Sequence, residues 1–446
     1  MSKNIKIKKG LDLKLIGKAD TIIENKLNIN YYALKPSEFK NITPKVLVKQ
    51  GDLVKVGTAL FSDKNNSDIL FTAPVSGEIT DIIRGERRIL QEIIIKADKK
   101  LEYEKFEITD TNSNEQIINT LLKSGLWTTI IQRPYSIIAN PKDKPKAIHI
   151  STFESAPLAP DYEFILKEEI KYFQSGISTL SKICNKIYLN NSSKVKPSIF
   201  SNITNCEINT FEGPHPAGNV GIQIHHLNPI NKGEIVWTIN VQNVVQIGKL
   251  FELGIYDSTK IIALSGSEIT TPQYFKIYNG ANIEQICENK VKGTNPRYIS
   301  GNVLTGSNIG KKGFIGFYDN QISVIPEGNY PEFLGWLSLG LKKFSTSKSY
   351  FSWLTPKKEF ELNTNLNGGN RAYVVTGQFE KVLPMDIYPM QLIKAIIVED
   401  IDMMENLGIY EVAAEDFALC EFVCTSKTNI QETIENGINL MLKQMS

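Results

Sequence analysis

GDLVKVGTAL, Gly51 to Leu60, followed by FTAPVSGEI, Phe71 to Ile79, is the stretch on which the reading of the fold turns. Gly-Asp at Gly51–Asp52 and Ser-Gly at Ser76–Gly77 are turn signals between half-buried strands. The result is two quasi-repeated hairpins, each with glycine where the backbone needs a positive φ. Short strands punctuated in this way extend over Val46–Ile95, and Arg84, Arg87 and Arg88 form a small basic cluster that is either solvated or faces a neighbour.

The order G-D-x-V-x-x-G-x-x-L, then A-P-x-S-G-x-I, resembles the barrel-sandwich hybrid (biotinyl/lipoyl-like) fold of carrier domains, set here at residues 1–105. Lys64 lies on the hairpin that carries the modified lysine of a lipoyl domain. Its distance to Ala73–Pro74 exceeds the carrier spacing and Asn65–Asn66–Ser67 lengthens the loop, so a plain surface lysine is expected.

Beyond the sandwich the rhythm changes at about Asn112. Ile117, Ile118, Leu121 and Leu122 lie on one helical face within Glu115–Lys123, and Gly125 is a stop signal. Strands at Ala147–Ser151, Lys186–Leu189 and Glu207–Phe211 alternate with helices at Tyr162–Phe173 and Val244–Leu253, which gives a Rossmann-like α/β domain over 106–257. A second α/β rhythm, with Ile261–Leu264, a helix at Asn282–Cys287 and Tyr298–Leu304, predicts a β-grasp module of SLBB type over 258–330. Strand-like pieces are read at Phe314–Phe317 and Ile322–Ile325, and an irregular connection follows over 331–380. Helices at Pro389–Glu399, Ile401–Leu407 and Gln431–Gln444, broken at Gly408, make a C-terminal helical domain over 381–446. The whole is a multi-domain α/β chain.

Composition fits that organisation. The 446 residues are 41% hydrophobic and 22% charged, enough to bury a core in each domain. A net charge of +2 provides no general field for nucleic acid or anionic lipid. Five scattered cysteines are no disulfide framework and suit a reducing compartment. No signal peptide is expected, because Lys14, Lys18 and Asp20 interrupt the first apolar stretch, and no run of about 18 apolar residues appears. Membrane association is therefore expected only through partners.

Three places bear on chemistry. A mononucleotide site needs a glycine-rich turn so that bare amides can approach the phosphate. SGLWTTIIQR, Ser124 to Arg133, instead fills that turn with Trp127, Thr128, Thr129, Ile130 and Ile131. EVAAEDFALCEFVCTSK, Glu411 to Lys427, has the spacing of an iron–sulfur run with ligand positions at Ala414, Phe417, Cys420 and Cys424. Two thiolates cannot complete a cubane, so Cys420 and Cys424 are expected as a degenerate pair in a helical turn, with a metal shared with a partner as the alternative. GPHPAGNVGIQIHHLNP, Gly213 to Pro229, holds three of the four histidines, His215, His225 and His226, without thiolate or carboxylate neighbours at zinc spacing. The histidines are read as satisfying backbone groups of a tight loop. No metal and no catalytic residue is expected.

GLDLKLIGKAD, FTAPVSGEITDIIRGERR, SGLWTTIIQRP, GPHPAGNVGIQIHHLNP, RYISGNVLTG and ALCEFVCTSK run in order from Gly10 to Lys427. Together they resemble the A-subunit of the bacterial sodium-translocating NADH:quinone reductases (Na+-NQR). The resemblance implies a fold like the flavin subunit of respiratory NADH dehydrogenase, with the cofactor loop and cluster ligands lost. It implies no cofactor on this chain, with FMN, FAD, riboflavin and iron–sulfur centres in partner subunits. It implies a peripheral subunit on the cytoplasmic face of the inner membrane, docked on the membrane-embedded B-subunit within a six-subunit complex. That complex oxidises NADH, reduces a quinone of the ubiquinone or menaquinone class and pumps Na+ from the cytoplasm. It leaves a quinone or partner contact as the second reading of His215, His225, His226, Trp127 and Arg133. The rival readings are an electron-transfer subunit of Rnf type and a lipoyl- or biotin-type carrier.

Overall fold

The computed structural model describes residues 2–108, 113–330 and 332–445; the change of rhythm placed at Asn112 lies outside them. Two small sheets face each other in the sandwich. One has the order Tyr31–Leu34, Leu90–Ala97, Gly77–Arg84, Leu53–Val54, and the other Pro44–Val46, Ala59–Asp63, Leu70–Thr72. Phe61 stacks on Phe71 at 4.4 Å between ring centres, and Phe39 meets Phe71 edge-on at 4.6 Å. Gly77 is obligatory: its φ is +151°, and a Cβ there would lie 2.0 Å from the carbonyl oxygen of Lys96. Lys64 is exposed in the turn after Ala59–Asp63.

The chain reaches that sandwich only at Tyr31. Before it, Asn4–Lys6 adds a parallel edge strand to the α/β sheet, with Asn4 opposite Thr210. Asp20–Asn25 then adds another to the grasp sheet, beside Gln273–Tyr278. The segment expected as the start of one N-terminal unit thus straps two other sheets. Short edge strands whose partners lie some two hundred residues away leave no local pattern.

In the α/β domain Ser113 caps the Asn114–Ser124 helix, and Gly125 ends it in the left-handed region at φ 79°. The helix expected over Tyr162–Phe173 is divided: Asp161 caps a single turn, Tyr162–Ile165, and a new helix runs over Ile170–Ile183. The charged Lys167–Glu169 stretch interrupts the apolar face there. The Ile170–Ile183 and Val241–Leu253 helices approach until backbones touch. A Cβ on Gly176 would lie 2.1 Å from the Val244 carbonyl oxygen, and one on Gly248 1.9 Å from that of Tyr172. The seven-stranded sheet has the order Asn4–Lys6, Glu207–Glu212, Ile187–Ser192, Ile148–Ser151, Val236–Thr238, Ile131–Arg133, Ile137–Ile138. The first five are parallel and the last two pairings antiparallel. Strand order reverses between Ile148–Ser151 and Val236–Thr238, the topological switch point.

Thr259–Ser265 and Gln273–Tyr278 form a hairpin, the Ile283–Cys287 helix follows, and Gln321–Pro326 returns parallel to the first strand with Pro296–Ser300 outside it. This is the β-grasp order. Phe314–Phe317 is not a strand; among the described residues its single bridge joins Phe314 to Asn282. The C-terminal helices pack through spaced apolar positions, such as Ile430, Ile434, Ile438 and Met441 of Ile430–Met445. Their core is continuous with Ile7, Phe211, Ala217 and Ile222 of the α/β domain. That shared core fixes the seam between the α/β and helical domains.

Candidate functional site

The Ser124–Arg133 stretch turns inward. Leu126–Thr129 form a 3-10 turn, with Leu126, Trp127, Thr128 and Thr129 all buried. The Trp127 indole donates to the Ala139 carbonyl at 2.7 Å and meets Trp237 edge-on, 5.4 Å between ring centres. Gly125, Leu126, Thr128 and Ile130 all spend their amide N–H groups on acceptors within residues 122–127. The Tyr318 hydroxyl, from the grasp module, covers the turn by donating to the Thr128 carbonyl at 2.7 Å. A phosphate cradle requires free amides facing solvent, and this donor set does not fit one.

At the switch point an open parallel sheet offers its ligand crevice, just beyond the carboxyl ends of the strands. Here Glu154 follows the Ile148–Ser151 strand, Asn240 follows Val236–Thr238, and the Tyr162 ring lies between them. The Tyr162 hydroxyl donates to the Glu154 carboxyl and accepts from Asn240 Nδ2 at 3.0 Å and Asn320 Nδ2 at 3.1 Å. One donor and two lone pairs are thereby saturated. Burial pushes the Glu154 carboxyl up to about 7, against the opposing hydrogen bond from Tyr162. A tyrosine and a neutral-leaning acid fill the crevice, and neither suits a phosphate.

The histidine loop lies along the same edge. The Ser155 hydroxyl lies 3.0 Å from His215 Nδ1 and accepts from the Gly218 amide at 2.8 Å. Burial pushes His215 down to about 4, so it is neutral at physiological pH. His225 and His226 are not in a loop, as the sequence suggested, but on the Val220–Leu227 helix. The Asp386 amide donates to His225 Nε2 at 3.0 Å, so the ring proton sits on Nδ1 and is given to Glu411 at 2.7 Å. His226 Nε2 donates to the Pro384 carbonyl at 2.9 Å. Both rings therefore tie the α/β domain to the C-terminal helical domain.

Arg133 makes the strongest tie. It is 4% exposed, and its guanidinium holds Asp416 at 3.1 Å as well as Glu415. Burial opposes the guanidinium charge, but Asp416 and then Glu415 outweigh it and raise the pKa. Burial raises Asp416, which Arg133 and the Ala413 amide counter. A Cβ on Gly221 would lie 2.4 Å from Asp416 Oδ2 and 2.7 Å from Arg133 Nη1. This glycine makes room for an ion pair.

One expectation requires correction. Trp127 is fully buried and Arg133 nearly so, so neither can touch a quinone or a partner without opening the fold. Cys420, in the Ala418–Val423 helix, and Cys424 at its end are 0% and 2% exposed, a buried pair in a helical turn as the sequence leads one to expect. Of the four positions with cluster spacing, Ala414 and Phe417 offer no thiolate. No group of three or more His, Cys, Asp or Glu that could hold a metal occurs among the described residues. The sequence reading missed Glu154, Tyr162, Asn240 and Asn320, and it read Glu411–Lys427 for its cysteines alone. The clue to Asp416 lay in that same stretch.

Residues 5–98 match the family described as the NqrA N-terminal barrel-sandwich hybrid domain, residues 112–256 the NqrA second alpha/beta domain, and residues 261–311 the NQRA C-terminal domain. The chain is 39% identical over 445 residues to the A-subunit of the Na(+)-translocating NADH-quinone reductase of Neisseria meningitidis serogroup B, covering 97% of this chain and 99% of that one. It is 38% identical to the protein of that name from Yersinia pestis, over 95% of this chain and 96% of that one. With that of Pasteurella multocida identity is 36%, over 99% and 100%.

Proposed function

This chain belongs to the NqrA family, the A-subunits of Na(+)-translocating NADH-quinone reductases, and from that premise we propose that it is the cofactor-free, peripheral docking subunit of such a complex. The complex oxidises NADH, reduces quinone and exports Na+; this chain organises the machinery and carries no electrons itself. It sits on the cytoplasmic face of the inner membrane, held by the membrane-embedded B-subunit, with flavins and iron–sulfur centres in the other subunits. In fold it is a relative of the flavin subunit of respiratory NADH dehydrogenase.

One observation carries this reading: both places where a redox chain of this layout would hold its groups are filled by its own side chains. The Ser124–Arg133 turn uses its amides on itself, and the cluster spacing presents Ala414 and Phe417. That no helix among the described residues is long and apolar enough to cross a membrane supports the peripheral role. The test is to purify the chain with and without its complex, record its visible spectrum and assay iron. A colourless, iron-free chain that co-purifies with integral membrane subunits is expected. A tightly held flavin, several irons per chain, or NADH oxidation by the chain alone would overturn the proposal.

A further inference from the structure

Between Phe333 and Leu354 nine large apolar side chains stand exposed, among them Phe333 at 93%, Trp336 at 72% and Leu339 at 66%. The chain has four tryptophans: Trp127 and Trp237 fill the α/β core, while Trp336 and Trp353 both face outward from this one segment. Exposed apolar side chains concentrated in one segment to this degree mark an interaction site.

The segment is held in shape from beneath. Phe344 turns inward, 5.4 Å from the Phe360 ring and 5.7 Å from Phe422 of the helical domain. Phe360 is in turn paired with the N-terminal strap, its amide donating to the Lys14 carbonyl at 2.8 Å. Gly340 closes the loop at φ +59°, where a Cβ would strike the Tyr350 ring at 2.2 Å, and the Phe351 amide donates to Leu339 at 3.1 Å. Lys343 ties Glu332 and the Gly335 carbonyl together. Such preorganisation lowers the ordering cost of binding.

Two features identify what covers it. Between residues 332 and 358 there are five lysines against one glutamate, which Lys343 already pairs, so the segment as a whole is basic. Regular structure in 332–358 is limited to two 3-10 turns, Gly335–Leu337 and Phe351–Leu354. Hydrocarbon cannot accept irregular backbone, because N–H and C=O groups would go unpaired; surface-lying lipid anchors are amphipathic helices. A protein surface can pair that backbone and cover the aromatic side chains together, which a hydrocarbon core cannot.

We propose that the 333–354 loop is the docking element of this chain, seated in an apolar, acid-rimmed groove of the membrane-embedded partner subunit. This rests on the docking role proposed above and names its surface. The test immobilises the remainder of the complex, purified in detergent without this chain. It compares the full-length chain, the double variant Trp336→Ser/Trp353→Ser, and a control, Leu53→Ser/Ile89→Ser, exposed to a similar degree on the sandwich. Buried aromatic anchors dominate interfaces, so the loop variant should bind at least about tenfold more weakly with an unchanged melting temperature, and the control within about twofold of the parent. Equal binding by parent and loop variant would overturn this inference and leave the docking role standing. A parent that does not bind at all would overturn both. Tryptophan-dependent pelleting with vesicles of phosphatidylethanolamine and phosphatidylglycerol, or a tryptophan-dependent dimer in sedimentation, would also overturn it, in favour of lipid or a second copy.

Discussion

Replacing Arg133 by methionine should loosen the C-terminal helical domain from the α/β domain. The guanidinium is the one cation the described contacts give to Asp416, a carboxylate buried completely behind Gly221 and the Ala413 amide. Removing one partner of a buried ion pair costs about 3–5 kcal/mol, because the survivor is left uncompensated. Loss of the Glu415 contact adds little, since Glu415 is half-exposed and solvent takes over its charge. The penalty depends on pH in a defined direction. Once the arginine is gone, burial holds Asp416 further above its ordinary carboxylate range, and such a group destabilises as pH rises through that range and into its raised folded value. The gap between variant and parent should therefore widen toward neutral pH and close as pH falls back into the ordinary carboxylate range. Urea unfolding followed by tryptophan fluorescence, with circular dichroism for the helices, measures it. Adding Asp416→Asn should recover at least half of the loss, because asparagine still accepts from the Ala413 amide and carries no charge. A loss below about 1 kcal/mol, or a double variant no better than the single one, would refute the idea that this pair clamps the domains.

Other outcomes follow from the same geometry. In the parent, Glu154 rises from an ordinary 4.5 to about 7 on folding, so its contribution to stability is lost as pH climbs between those values. Glu154→Gln should match the parent at pH 4 and exceed it above pH 7 by up to about 3 kcal/mol in urea unfolding, with the Tyr162 bond retained. Gly221→Ala should cost about 1–3 kcal/mol by driving a methyl into the Arg133–Asp416 pair, and should cost far less in the Arg133→Met/Asp416→Ala background; equal cost in both would show that the pair is not what demands glycine. Gly248→Ala should lower the melting temperature sharply, since its methyl would meet the Tyr172 carbonyl; an unchanged melting curve would mean the two helices are not in backbone contact. Intact mass spectrometry should give the unmodified mass, and Lys64→Arg should leave assembly unchanged; an adduct on Lys64 would restore the carrier reading.

What could be read in advance was whatever local chemistry decides. Gly51, Gly57 and Gly77 announce hairpins because only glycine tolerates their φ, and Gly125 announces a helix end for the same reason. The SGLWTTIIQR stretch could be read as a filled turn because bulky side chains exclude a phosphate wherever their partners lie. The strap strands Asn4–Lys6 and Asp20–Asn25 gave no sign, their partners being remote. The break after Ile165 was hidden because apolar residues resume at Ile170 in a plausible helical register. Arg133 was singled out, but its partners Glu415 and Asp416 stand more than 280 positions away. Only the shared core brings them together.

The switch point then takes on a different meaning. In an open sheet that crevice exists because loops diverge to either side of it, and something must fill the space. Here the filling is Tyr162, whose hydroxyl gathers Glu154 and Asn240 from the α/β domain and Asn320 from the grasp module. On the adjoining edge His225, His226 and Arg133 gather the helical domain. Side chains at this crevice and along its edge fix three domains in one arrangement. A rigid body of that kind can present the 333–354 loop at a set distance and angle from the sandwich, as the proposed docking role requires.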